Sequence, residues 1–205
     1  MSEPRDVSQW AGEQAGAKGR VSTMASGLVG SEILKIAADI RELQRGGVEV
    51  CNLTVGDFDP SQFPIPTLLC TAIQDALATG QTNYPPSNGM PELRTAVQRF
   101  YKTRLGLDYP IDSILIAGGA RPVIYGIYRA LLDPGDVVVY PVPSWNNNHY
   151  CHLLGAQPLE LICGPENNFL PTAGDLEAAL PKARRVCLNS PLNPTGTAID
   201  AEALR

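Results

Sequence analysis

The stretch Asn189-Ser190-Pro191-Leu192-Asn193-Pro194-Thr195-Gly196 decides the fold, because it follows directly on the apolar run Val186-Cys187-Leu188. Such a run is typical of a parallel strand that is covered on both faces, and the prolines and the glycine end the strand abruptly. Ligands of open α/β sheets bind beyond the carboxyl ends of the strands. The side-chain amides of Asn189 and Asn193 are therefore placed where they could contact a small molecule. By residue type alone, a plain turn is an equally good interpretation.

Upstream of this stretch, segments with the pattern of strands alternate with segments with the pattern of helices. The apolar pattern predicts strands over residues 113–117, 137–140, 158–162 and 185–188, and helices over 121–132, 145–154 and 174–180. Further towards the N-terminus it predicts helices over 31–45, 67–78 and 91–104 and a strand over 48–53. Such alternation implies right-handed crossovers. We therefore predict a three-layer α/β/α fold with a mostly parallel sheet.

The composition excludes several classes of function. Apolar residues make up 44% and charged residues 18% of the 205 residues, which is ordinary for a globular protein and argues against disorder. No apolar run approaches the roughly 20 residues that span a bilayer, so no membrane partner is predicted. The formal net charge of -5 comes without long blocks of like charge, which argues against a nucleic-acid partner.

The cysteines and histidines indicate neither disulfides nor a metal site. The five cysteines are scattered and never spaced as C-x-x-C, and we interpret them as reduced thiols of a cytoplasmic protein. The first residues lack the apolar segment of a secretory signal. His149 and His152 lie three apart in a predicted helix, but no cluster of cysteines or carboxylates accompanies them.

The segment Ile116-Ala117-Gly118-Gly119-Ala120-Arg121-Pro122 joins a predicted strand to a predicted helix. Its small residues let the backbone approach a ligand, and free N–H groups at a helix start favour an anion. Arg121 adds a permanent positive charge, which a phosphate would favour. A Gly-Gly turn before a helix is also common as a plain tight connection, so the pattern alone leaves both interpretations open.

Two aromatic residues and a further glycine are additional candidates. Trp145, in Tyr140-Pro141-Val142-Pro143-Ser144-Trp145, follows an apolar strand, where its ring could stack on a planar heterocycle or simply pack inside the protein. Tyr84 opens a run that reaches Arg94, and by itself this run is also typical of an exposed turn before a well-capped helix. Gly56, in Leu53-Thr54-Val55-Gly56-Asp57-Phe58-Asp59, ends another predicted strand.

These stretches, in this order, resemble the motifs of class I/II aminotransferases, the fold-type I enzymes of the aspartate aminotransferase type that use pyridoxal 5'-phosphate. Asn193-Pro194-Thr195-Gly196 resembles the family's asparagine-proline-threonine-glycine signature. The run from Tyr84 to Arg94 resembles its tyrosine-x(4)-glycine-x-proline-glutamate-leucine-arginine run. The sequence departs from common family residues at Ala120, at Ser144 and at Asp57-Phe58.

The resemblance implies a role for each candidate. Gly119, Ala120 and Arg121 would contact the cofactor phosphate, with Ala120 contributing only its backbone. Trp145 would stack on the pyridine ring, and Asn193 would hydrogen-bond the phenolic oxygen. Tyr84 would contact the phosphate from the neighbouring subunit of a homodimer. Gly56 would lie near the substrate carboxylate. The substrate would thus be contacted by Gly56, Trp145 and Asn193.

The resemblance also implies that the chain is the N-terminal half of such an enzyme. None of its four lysines lies in the family's lysine context, so the Schiff-base lysine is expected beyond Arg205 and no catalytic residue within the chain. The expected organisation is a flexible arm over residues 1–30, the first helix and strand of a small domain over 31–60, and an incomplete cofactor-binding large domain over 61–205.

The function implied for the complete chain is amino transfer between an L-amino acid and a 2-oxo acid such as 2-oxoglutarate. One alternative is another fold-type I enzyme, such as a carbon–sulfur lyase or a cyclopropane-carboxylate synthase. A second is a truncated chain that is catalytically dead and acts only by binding. The expected assembly is a homodimer with shared active sites.

Overall fold

The structure is a computed structural model, and it describes residues 21–30, 32–53, 56, 58–202 and 204. The chain divides into two compact units, which we call the helical unit (residues 30–123) and the sheet unit (residues 1–29 and 124–205). Outside the described residues lie residues 1–20 of the predicted arm, Ser31 at the start of the helix predicted over 31–45, and Thr54, Val55 and Asp57 of the stretch around Gly56. The predicted functional domains stay a prediction, because two contact-defined units do not test them.

The helices and strands have the following bounds. The α-helices are α1 Thr23–Ser26, α2 Glu32–Arg45, α3 Thr67–Ala78, α4 Pro91–Phe100, α5 Ala120–Leu131, α6 Asn147–Leu154 and α7 Ala173–Ala179. The strands are β1 Val137–Val142, β2 Gln157–Ile162 and β3 Arg185–Val186. Short 3-10 turns cover Ile111–Ser113, Pro165–Asn167 and Leu180–Lys182, and a π-helical turn covers Tyr101–Leu105.

The three strands form one parallel sheet in the order β2-β1-β3. β1 lies in the centre, with Val137 beside Gln157 of β2 and Val138 beside Arg185 of β3. Val138, Val139 and Tyr140 are completely buried, as the unbroken apolar run predicts for a strand covered on both faces. The predicted α/β class with a parallel sheet is confirmed.

The core of the sheet unit lies between this sheet and two helices. Tyr128 and Leu132, at the end of α5, pack with Val138 and Tyr140 of β1 and with the inner face of α6. That face carries Tyr150, Cys151 and Leu154. Gly155, with a φ of 69°, ends α6 in the left-handed conformation that glycine adopts without strain. The chain then enters β2, which pairs in parallel with β1.

The helical unit follows the predicted helices closely. α3 has the predicted bounds, and α4 begins at Pro91, whose fixed φ suits the first helical turn. The predicted helix over 91–104 continues beyond α4 as the π-helical turn, and Gly106 ends it with a φ of 68°. The hydrophobic spacing therefore located the helix correctly, although it could not distinguish the α from the π hydrogen-bond pattern.

Two predicted strands are wrong. Residues 48–53 and 114–117 form no strand, and no strand of the described residues lies beside either of them. A strand is held by hydrogen bonds to a neighbouring strand, and an apolar pattern does not show whether a neighbour exists. β3 is also shorter than predicted, although Cys187 N still donates to Val139 O at 2.8 Å before the chain leaves the sheet.

Gly89 is a position where the fold requires glycine. Its φ is 101°, and a Cβ there would lie 2.6 Å from Cβ of Ile116. We expect Gly89→Ala to lower the unfolding midpoint of the full-length protein, because backbone strain of roughly 1–3 kcal/mol adds to overpacking of a similar size, about 1–3 kcal/mol. The matched control is Gly80→Ala, since Gly80 has a φ of 74° but nothing within 4 Å of its Cβ position. Equal midpoints for the two variants would show that the approach to Ile116 carries no cost.

Candidate functional site

The segment Gly118–Arg121 enters a helix through a glycine in an unusual conformation. Gly119 has a φ of 116°, and nothing lies within 4 Å of its Cβ position or that of Gly118. Its N–H donates to the carbonyl of Ala117 at 2.8 Å, which turns the chain sharply before α5. The first N–H groups of a 12-residue helix have no acceptors within the helix, so α5 begins with donors beside open space. This is the geometry of an anion-binding helix start.

Arg94 holds the segment that leads into this turn. The residue is only 8% exposed. Its Nε donates to the carbonyl of Ile114 at 2.9 Å, and its Nη2 donates to that of Ile111 at 2.6 Å. Asp112 lies 3.6 Å away but is 95% exposed, so the ion pair contributes little beside the two hydrogen bonds.

The turn before α4 contacts the same segment. The N–H of Ile116 donates to the carbonyl of Asn88 at 3.1 Å, and Gly89 leaves room for the Ile116 side chain. The run from Tyr84 to Arg94 therefore positions the approach to Gly118 and Gly119. Arg94 was not among the predicted site residues. The available signal was that Arg94 lies three residues before Val97, so the two side chains lie on the same face of the predicted helix.

Two other candidates of the helical unit are solvent-exposed. Tyr84 is fully exposed, which is unusual for an aromatic side chain within a single subunit. Gly56 is exposed too, and its Cβ position has open space around it. Both residues are therefore accessible to a ligand or to another chain.

Trp145 lies in the loop between β1 and α6 and is half-buried. The residues before and after Trp145 fix the shape of this loop. Ser144 Oγ accepts a hydrogen bond from Asn147 Nδ2 at 2.7 Å, and Asn146 has a φ of 65°. The predicted helix over 145–154 begins only at Asn147, because a left-handed residue cannot be part of a right-handed helix.

Asn193 lies in a turn that is anchored by its neighbour. Leu192 is only 2% exposed, its N–H donates to Thr197 O at 2.7 Å, and its carbonyl accepts from Gly196 N at 2.6 Å. Asn193 and Asn189 are both exposed, and neither amide is hydrogen-bonded to the described residues. The stretch is therefore a turn, as one of the two interpretations predicted, and it leaves the Asn193 side chain accessible to solvent.

The structure brings two of the predicted site residues to the same edge of the sheet. β1 and β3 are adjacent and parallel, so the loops that follow them leave from the same edge. Trp145 lies in the first loop and Asn193 in the second. Gly56, Tyr84, Gly119, Ala120 and Arg121 all belong to the helical unit.

Other kinds of site have little support. Within the described ranges, no group of three or more histidine, cysteine or acidic side chains could hold a metal ion. A ring nitrogen of His152 lies 2.7 Å from the carbonyl of Met24 in α1. The five cysteines have free thiols. None of the helices described here has the length and apolar composition of a membrane span.

Comparisons with known proteins agree on one family. The family model for Aminotransferase class I and II matches residues 48–205. An aspartate aminotransferase from Rhizobium meliloti (strain 1021) is 38% identical over 177 residues, which are 85% of this chain and 42% of that protein. A probable aspartate/prephenate aminotransferase from Rickettsia conorii is 33% identical over 186 residues, which are 90% of this chain and 46% of that protein.

A solved structure shows that the fold of this chain is similar to that of an aminotransferase. The aspartate aminotransferase from Thermus thermophilus with maleate superimposes with a TM-score of 0.83 at 31% identity. The superposition covers 90% of this chain and 48% of the Thermus chain. The chain thus spans less than half the length of the relatives it matches.

Proposed function

The chain belongs to the class I and II aminotransferase family, and we propose that the full-length protein transfers an amino group from an L-amino acid to a 2-oxo acid with pyridoxal 5'-phosphate as its cofactor. The observation that carries the proposal is the placement of Trp145 and Asn193 beyond the carboxyl ends of two adjacent parallel strands. That edge is where open α/β sheets bind their ligands. An aromatic ring and an amide donor there suit a flat, polar heterocycle.

The residues of the chain fit the chemistry of this cofactor. Its phosphate needs donors and positive charge, which the start of α5 and Arg121 supply, and the open space at Gly118 and Gly119 lets the phosphate approach the backbone. Ala120 adds no polar side chain, so its contribution is its backbone N–H. The pyridine ring offers a face for Trp145. The phenolic oxygen offers an acceptor for the Asn193 amide.

Each residue has a physical task in the proposed reaction. When bound, the cofactor supplies an electron sink that makes the α-hydrogen of an amino acid acidic. The amide of Asn193 donates to the phenolic oxygen, which favours the ionised form of that oxygen. The ring of Trp145 covers one face of the heterocycle and excludes water from it. The start of α5 and Arg121 hold the phosphate, which fixes the orientation of the ring.

The proposal also specifies the substrates and a homodimeric assembly. The substrates are an amino acid such as aspartate and a 2-oxo acid such as 2-oxoglutarate, since similar proteins carry the names aspartate aminotransferase and aspartate/prephenate aminotransferase. Gly56 gives the substrate carboxylate a backbone contact. Tyr84 reaches the phosphate in the neighbouring subunit of a homodimer, and its full exposure supports this role. The cytoplasmic location stays a prediction.

Product analysis tests the proposed reaction directly. We expect the full-length protein, incubated with L-aspartate, 2-oxoglutarate and pyridoxal 5'-phosphate, to form glutamate in an amount equal to the aspartate consumed. Free ammonia without glutamate would instead support a lyase on the same fold. Cofactor binding without any product would support a protein that acts only by binding.

A further inference from the structure

A tyrosine hydroxyl lies inside the protein between the two loops that carry Trp145 and Asn193. Tyr128, on α5, is only 1% exposed. Its hydroxyl lies 2.8 Å from Oδ1 of Asn147 and 2.9 Å from Sγ of Cys187. Asn147 is the first residue of α6, just after the Trp145 loop, and Cys187 directly follows β3. The hydroxyl therefore contacts one residue next to each of the two loops.

The protons of this cluster can be assigned. Oδ1 of Asn147 can only accept, so the single hydroxyl proton of Tyr128 is donated to it. The thiol of Cys187 must then donate to the oxygen of Tyr128. Burial, together with the hydrogen bond to Cys187, raises the pKa of Tyr128 far above its ordinary value. The Tyr128 hydroxyl thus stays protonated at physiological pH and keeps its donated hydrogen bond to Asn147.

Asn147 and Cys187 are each connected to the chain that carries a candidate cofactor contact. Asn147 uses its Nδ2 to donate to Ser144 Oγ at 2.7 Å, and Ser144 is the residue next to Trp145. The N–H of Cys187 donates to Val139 O at 2.8 Å, which fixes the thiol relative to β1. The chain from Cys187 then leads directly into the turn with Asn193.

The ring of Tyr128 is held as firmly as its hydroxyl. The guanidinium carbon of Arg185, on β3, lies 5.6 Å from the centre of the ring, which is within the range of a cation–π contact. The ring of Tyr150, on α6, lies 5.2 Å away at an angle of 49°. Tyr128 therefore has a fixed position from which its hydroxyl can determine the positions of the two loops.

We propose that Tyr128 is a positioning residue of the cofactor site, whose hydroxyl keeps the Trp145 loop and the chain leading to Asn193 in a fixed relation. The link between the loops stands on the contacts alone, and only its consequence for the cofactor rests on the proposed function. The sequence motifs do not include Tyr128.

Hydrogen exchange in the full-length, cofactor-free protein tests the link. We expect Tyr128→Phe to accelerate amide exchange roughly fivefold in the peptides over residues 143–148 and 187–197, which is the factor for the loss of one ordinary hydrogen bond. The matched control is Tyr140→Phe. Tyr140 is also 1% exposed and donates to Glu160 Oε1 at 2.9 Å, but this bond joins β1 to β2 and involves no residue of either loop. Unchanged exchange in the two peptides, or equal acceleration throughout the chain, would overturn the proposal.

A binding measurement separates the positioning role from a purely structural one. We expect Tyr128→Phe to weaken pyridoxal 5'-phosphate binding by a similar factor, roughly fivefold, while Tyr140→Phe leaves it unchanged. Ser144→Ala removes the acceptor of Asn147 Nδ2 but leaves the hydrogen bond from Tyr128 to Asn147 in place, so we expect faster exchange only over 143–148. Unchanged cofactor affinity in Tyr128→Phe would overturn the positioning role. If the wild-type protein bound no cofactor, the proposed function would fail, and the exchange comparison would still decide whether Tyr128 joins the loops.

Discussion

Replacing Asn193 by alanine should lower kcat/KM for amino transfer by the full-length protein by about 100-fold or more, the typical effect of removing a donor from an oxygen that carries charge during the reaction. Asn193 is exposed at the carboxyl end of β3, and its amide is not committed to any described residue. The turn beneath it depends on Leu192 and on backbone hydrogen bonds. The substitution should therefore remove the donor and leave the turn intact.

Two variants make the result specific. Asn193→Asp keeps the size of the side chain but replaces the donor by a second acceptor, so we expect a loss at least as large as that of Asn193→Ala. Asn189→Ala removes an exposed amide that begins the same turn and that has no proposed contact with the cofactor. We expect this control to retain most of its activity. Equal activity of Asn193→Ala and Asn189→Ala would remove Asn193 from the site.

The second large effect is expected from Arg94→Met. This substitution leaves the carbonyls of Ile111 and Ile114 without their donor, and it removes two charge-assisted hydrogen bonds at 2.6 and 2.9 Å. The expected cost is about 3 kcal/mol or more for the pair of bonds. It should fall on residues 111–119, because these residues contain both acceptor carbonyls and lead to the proposed phosphate-binding turn. Hydrogen exchange of that peptide and the cofactor dissociation constant are the two measurements.

The controls for Arg94 use the same helix. Arg99→Met removes an exposed arginine of α4, so we expect no change in exchange over 111–119. Arg94→Lys keeps the charge but cannot bridge two separate carbonyls with a fixed planar group, and we expect an intermediate effect. Exchange over 111–119 that does not change in Arg94→Met would mean that the buried arginine does not hold this segment.

The sequence predicted the elements that depend on local pattern. β1 was predictable because its apolar residues are consecutive, and the structure buries Val138, Val139 and Tyr140 completely. α3 was predictable because apolar spacing and a terminal glycine define it. The failed strands at 48–53 and 113–117 have the same local pattern, but a strand also needs a neighbour, which is a property of the whole fold.

The site was predicted less completely than the fold. Trp145 and Asn193 could be placed because each follows a predicted strand, and parallel strands bring their carboxyl ends to one edge. Arg94 and Tyr128 could not be assigned because their partners are distant in sequence. Arg94 contacts backbone carbonyls 17 and 20 residues away, and Tyr128 contacts Cys187 across 59 residues. Such contacts follow only from the packed structure.

The most direct test of the central claim is a spectroscopic titration of the full-length protein with pyridoxal 5'-phosphate. The account predicts one cofactor bound per chain, an absorbance change when L-aspartate is added, and return to the starting spectrum when 2-oxoglutarate is added. The reversal is the decisive step, because only amino transfer restores the original cofactor with a 2-oxo acid. No bound cofactor, or a change that 2-oxoglutarate does not reverse, would contradict the account.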